Sequence, residues 1–139
     1  MKKIIIFFMC CIFSSCNFGG VKQLGNSFAI VESDVKYVFI QYCTDENCDV
    51  GILVIPSKVI EYNYDKDWII AKTRDSESNI SYWIVDKHIN TLNSKKLYEN
   101  IKLKTFGPLD SIVFHKIIEL RRINLALKKS ENHNSNTFF

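Results

Sequence analysis

Residues 28–86 alternate between short runs rich in β-branched and aromatic side chains and short polar turns, and that rhythm limits the fold more than any other feature. The runs cover residues 28–32, 35–43, 50–55, 59–64, 68–72 and 80–85. Parallel neighbours need crossovers of about a dozen residues or more, and the longest connection here, residues 73–79, is shorter than that. The pattern therefore predicts an antiparallel β-meander of five or six strands. Pro56 interrupts the series, so residues 59–64 are expected as a further strand or an edge segment.

After residue 86 the periodicity moves from two toward 3.6. Residues 92–103 fit a short helix capped by Asn93 or Ser94. Residues 110–128 fit a long one, with Leu109, Val113, Ile117, Leu120 and Leu127 in a stripe that Ile112 and Phe114 broaden. Gly107 permits a sharp turn, Pro108 fixes φ before the helix start, and Asp110 can accept from otherwise unpaired amides. So broad a stripe must lie on an apolar surface, and the inner face of the sheet is the partner at hand. The predicted class is α+β, a meander packed against one long and one short C-terminal helix.

The first residues have a different character. Lys2 and Lys3 precede an apolar run over residues 4–13, and Phe13-Ser14-Ser15-Cys16 follows, in the order of a bacterial secretory signal. A membrane span needs roughly 20 apolar residues, whereas a signal needs about 7–15; the run here stops at Ser14. Phe13-Ser14-Ser15-Cys16 resembles a lipoprotein lipobox, with small residues beside the cut and Phe13 in place of the usual aliphatic residue. Cys16 is the only nucleophile there that can take a diacylglycerol as a thioether, and two acyl chains suffice for stable anchoring. The expected organisation is a signal at 1–15, a tether at 16–27, a single domain at 28–129 and a disordered tail at 130–139. Removing residues 1–15 takes Lys plus Arg from 18 to 16 against 15 acidic residues, and the net charge from +3 to +1. Such near neutrality offers no field to attract nucleic acid or anionic headgroups, so the lipid must hold the chain at a cell membrane or outer membrane.

Of five cysteines, Cys10 and Cys11 leave with the signal and Cys16 carries lipid. Cys43 and Cys48 bracket Thr44-Asp45-Glu46-Asn47, a polar turn between two apolar runs. In an oxidising compartment they are expected to form a structural disulfide, with two free thiols as the alternative. Four intervening residues do not make a Cys-x-x-Cys redox pair, and zinc would need more ligands than His88 supplies from far along the chain.

Motifs for chemistry are few. There is no phosphate-binding glycine loop, no Gly-x-Ser-x-Gly elbow and no His-Glu-x-x-His. His88, His115 and His133 have no serine, cysteine or carboxylate at a spacing that makes a nucleophile and base pair, and each reads as a surface residue. Asp45, Glu46 and Asp49, and likewise Asp65 and Asp67, read as solvated turns because they lack calcium-loop spacing. No cofactor or metal is expected. Among the aromatics, Trp68 and one of Tyr82 or Trp83 are expected in the core.

Ile55-Pro56-Ser57-Lys58-Val59, Trp68-Ile69-Ile70-Ala71-Lys72, Tyr82-Trp83-Ile84-Val85-Asp86-Lys87 and Gly107-Pro108-Leu109 followed by Phe114 and Leu120 resemble a family of small bacterial lipoproteins with a domain of unknown function. The resemblance covers residues 30–123 and implies a lipobox, a compact β-rich domain and a closing helix after the Gly-Pro-Leu turn. This chain departs from it at 90–105, a longer insert, and after Leu120. The family brings no activity with it. The expected role is a membrane-anchored, non-enzymatic binding domain with a protein partner in the envelope, of inhibitor or immunity type among others. The alternatives are an envelope hydrolase, which requires a histidine and carboxylates converging in an apolar pocket, and a structural envelope component.

Overall fold

The computed structural model describes residues 20–34 and 37–130. The expected signal at 1–15, Cys16 itself and residues 131–139 lie outside them. Within them the class is α+β, but the arrangement differs from a single meander under two helices.

Nine strands form two antiparallel sheets. The first sheet takes β1 (Gly20–Gly25), β2 (Phe28–Asp34), β3 (Tyr37–Cys43) and β4 (Gly51–Ile55) in that order. The second is built from β5 (Val59–Tyr64), β6 (Trp68–Arg74), β7 (Ile80–Asp86), β8 (Thr105–Leu109) and β9 (Lys128–Lys129), in the order β8-β7-β6-β5-β9. Pro56 marks the break between them, because the chain leaves β4 and enters β5 in the other layer. The first helical piece is a 3-10 turn at Ser94–Lys96 running into α1 (Leu97–Leu103), and α2 spans Ser111–Leu120.

Alternation along the strands explains the layering. Phe28 and Ile30 of β2 and Val38, Ile40 and Tyr42 of β3 point inward, where they meet Val59, Tyr62, Ile69, Ala71, Trp83 and Val85 of the second sheet. Ile101 of α1 closes one flank of this core. The second sheet is apolar on its other face as well: Ile70 and Ile84 face Phe114 of α2 and Ile123, with Trp68, Tyr82, Leu125 and Leu127 around them. The runs Ile69-Ile70-Ala71 and Trp83-Ile84-Val85 are buried without interruption because this sheet is the middle of three layers. Trp83 thus faces the inter-sheet core, while Trp68 and Tyr82 are half-buried on the helix side. Among the described residues no buried side-chain nitrogen or oxygen lacks a partner, and no helix is long and apolar enough to cross a membrane.

The helix expected over 110–128 stops at Leu120. Asp110 caps it as anticipated, its carboxylate accepting from the Val113 N–H at 2.8 Å. At the other end Arg122 takes φ +53°, and the N–H groups of Arg122 and Ile123 return to the carbonyls of Glu119 and Ile118. This is a Schellman closure, with the Ile118–Ile123 contact that accompanies it, built without the glycine that usually announces one. Residues 123–127 then run along the second sheet, held by Asn63 Nδ2 donating to Ala126 O at 2.9 Å, and end in β9 beside β5.

Three more expectations are corrected. The span read as tether contains β1, paired with β2 from Gly20↔Glu32 onward. Pro108 lies inside β8 rather than in a turn, tolerated because β8 is an edge strand and a missing N–H costs it no ladder bond. Ser130 is buried and its N–H donates to Ile60 O at 3.1 Å, so the first residue of the predicted tail belongs to the folded body.

Candidate functional site

The two thiols singled out in the sequence meet. Cys43 and Cys48 are joined, with Cα atoms 4.9 Å apart, and the loop between them folds over the outer face of the first sheet. Beneath it Ala29 is fully buried, and Gln41 Nε2 donates to Cys48 O at 2.9 Å, so a polar side chain on a solvent-side position finds its partner in the loop. Asp45, within the loop, accepts from Val50 N–H at 3.2 Å and has the turn-forming role expected of it. Replacing both cysteines by serine is expected to lower stability by about 2 kcal/mol, the chain-entropy value for so short a closure, read from the urea midpoint at constant m-value.

At the same end of the molecule, β7 delivers Asp86, Lys87 and His88 to the turns of both sheets. Lys87 is 2% exposed. Its ammonium donates to the backbone carbonyls of Leu24, in the first sheet, and Asp65, in the second, and lies 5.6 Å from the centroid of the Tyr64 ring. Its own backbone is tied on both sides, N–H to Asp67 O and C=O from Asn26 Nδ2. Burial pulls its pKa below 10.5, while Asp65 and Asp67 work in the opposite direction. Asp65 is itself consumed by the turn, its Oδ1 accepting from the N–H groups of Asp67 and Trp68.

His88 does come within reach of carboxylates. Nδ1 is 2.8 Å from Asp86 Oδ1 and Nε2 is 3.2 Å from Asp67 Oδ1. Burial alone would raise Asp86, but the His88 N–H, the His88 ring and Lys104 at 3.3 Å outweigh it and hold the carboxyl below its ordinary 3.8. Both ring nitrogens lie beside carboxylate oxygens, and the side chain is 62% exposed. His88 itself lines an open hollow of about 440 Å³, together with Asn26, Ser27, Tyr42, Lys87 and Ile89 among others. His115 sits on α2 with Nδ1 2.6 Å from Ser111 O and its ring edge-on to Phe114. Among the described residues no group of three His, Cys, Asp or Glu side chains is placed to hold a metal ion.

What the sequence did not reveal lies on the surface. Among the described residues the first sheet has edges at β1 and β4 and no helix covers its outer face, where Val21, Val31 and Phe39 stand in register across β1, β2 and β3. Beside β4 a recess opens toward α1, floored by Trp83. An alternating strand announces which face is apolar, but not whether a second layer covers it, so these surfaces had no signal in the sequence. No family model, no curated protein and no solved structure matches the chain.

Proposed function

We propose that this chain is a binding domain of the bacterial cell envelope, exported and held at a membrane by an acylated Cys16. One observation carries the reading: β1 opens at Gly20, four residues after Cys16, so the folded body begins where the signal would be cut. At about 3.5 Å per residue the intervening segment allows roughly 14 Å between the Cys16 and Gly20 Cα atoms. On so short a leash the Gly20 end of the first sheet faces the bilayer. The hairpin end at Asp34 and Tyr37 lies on the same side, because Gly20 pairs with Glu32 and Asp34 with Tyr37. The Cys43–Cys48 loop, at the opposite end of β3, faces away from the membrane and toward partners.

Binding, with a protein as partner, is supported by the exposed Val21 and Leu53 beside half-buried Val31 and Phe39 on the first sheet. Expressed with its own first fifteen residues, the protein is expected to partition into detergent with the membranes, and its mass to correspond to a chain starting at Cys16 plus diacylglycerol. Cys16→Ala should accumulate as an uncut precursor without the lipid mass. Recovery of a water-soluble product with bare Cys16, or of a mature protein that keeps Met1, overturns the proposal.

A further inference from the structure

The recess beside β4 measures about 190 Å³, room for one large apolar side chain, and is lined by Ile52, Val54, Trp83, Tyr98, Ile101 and Lys102 among others. Its floor is rigid. The Trp83 indole N–H donates to Thr73 Oγ1 at 2.9 Å, and the backbone of Gly107 lies so close on the ring that even a Cβ there would come within 2.4 Å of Cε3. At the rim, Tyr98 is 60% exposed and Leu53 58%.

Above this floor runs an edge. β4 pairs with β3 on one side and, among the described residues, has no strand on the other. Thr44 N–H donates to Val50 O at 3.0 Å, which sets the phase of the ladder: Ile52 turns its backbone groups to β3, and Gly51 and Leu53 turn theirs outward. Among the described residues, Gly51 and Leu53 make no backbone hydrogen bond beyond the β3 ladder. The bulge between Ile40/Gln41 and Leu53/Ile55 leaves Val54 without a partner and directs it into the recess.

The helical wall supplies charge. Lys102 lines the recess and has no ion-pair partner among the described residues, and Lys95 and Lys96 open the same helical segment, in which Glu99 is the one acid. We propose that β4 and this recess bind an extended segment of a protein partner, added to the first sheet as a fifth strand, with one apolar side chain on Trp83 and an acidic residue beside Lys102. Main-chain pairing supplies affinity in such an arrangement and the pocket supplies selectivity. The inference rests on the reading of this chain as a binding domain and names the surface that binds.

The test titrates the full mature chain, lipid attached and held in detergent micelles, with two blocked heptapeptides, Thr-Asp-Thr-Leu-Thr-Asp-Thr and Thr-Lys-Thr-Leu-Thr-Lys-Thr, followed by amide and indole NMR shifts. Saturable shifts are expected at the Gly51 and Leu53 amides and at the Trp83 indole N–H. The aspartate peptide should bind about threefold more tightly than the lysine peptide, the size of effect a rim charge gives. Tyr98→Ala should weaken binding about tenfold, as loss of an aromatic anchor does, without unfolding the domain because the side chain is exposed. Lys102→Glu should reverse the order of the two peptides. No saturable shift at β4, shifts centred elsewhere, or an unreversed order in Lys102→Glu overturns the proposal. A null titration with lipid still on Cys16 removes the β4 site and leaves the anchor standing; a bare Cys16 with an intact titration does the reverse.

Discussion

Phe114→Ala is expected to destabilise the domain by about 3–5 kcal/mol, the range for removing a buried aromatic ring from a packed core. Phe114 is the one fully seated side chain of α2: it lies between Ile70, Ile84 and Ile123, with its ring centroid 4.9 Å from that of Tyr82. Ile117 and Ile118 follow it on the same face, and Arg121 continues that face over the Phe106 ring. Without Phe114 the helix keeps its Asp110 cap but loses its main hold on the middle sheet, and Ile123, Leu125 and Leu127 lose a packing partner. Leu120→Ala and Ile112→Ala are the controls. Both side chains point to solvent, so each should change stability by no more than about 0.5 kcal/mol. Urea unfolding of the three variants decides the matter, and a cost at Leu120 equal to that at Phe114 would contradict the packing.

That comparison also measures how far the sequence could be read. The stripe traced through Val113, Ile117 and Leu120 is about one residue out of phase with the face that packs, which is centred on Phe114, Ile117 and Ile118. Exposed Ile112, Val113 and Leu120 are as apolar as buried positions, and periodicity counts them equally. The end of α2 was hidden for a related reason, since Arg122 adopts the left-handed conformation where a glycine would have given warning. Strands β2 to β7 were legible because alternation or unbroken apolar runs mark them and polar turns bound them. β1 was not, because Lys22 and Gln23 dilute a strand whose fully buried residue is Leu24 alone. β8 was not, because Gly107-Pro108 forbids an interior strand while permitting an edge one. The unbroken runs at Ile69-Ile70-Ala71 and Trp83-Ile84-Val85 did hold the signal for a sheet covered on both faces. Of the site, Cys43 and Cys48 were readable from their bracketed turn. The β4 recess was not, because it exists only once α1 and β4 come together from segments about forty residues apart.

Lys87→Ala is expected to cost about 2–4 kcal/mol, nearly as much as the aromatic, although a lysine just past a strand end carries no such signal. Its ammonium is the shared donor for Leu24 O and Asp65 O, one carbonyl from each sheet, so it ties the two layers where no strand pairing does. Deleting it leaves both carbonyls without their donor in a closed space, and each buried group so stranded costs about 1–3 kcal/mol, partly relieved where water enters. Gly25, at φ +87°, belongs to the same joint, since a Cβ there would lie 3.0 Å from Lys87 Nζ. Lys87→Met separates charge from packing: the stem contacts survive and the donor is lost, so its cost should fall below that of alanine. The pH dependence has a definite sign. Because burial lowers the folded pKa below 10.5, the unfolded chain holds the proton more firmly between the folded value and 10.5. Wild type should therefore gain stability relative to Lys87→Met as pH rises through that window, and the difference should be flat below it. Equilibrium unfolding of wild type and Lys87→Met in parallel from neutral pH to about 10 reads this directly. A gap that stays flat to alkaline pH would mean that the ammonium keeps its solvation and is not buried between the sheets, and one that shrinks would mean that its folded pKa is raised, against the effect of burial.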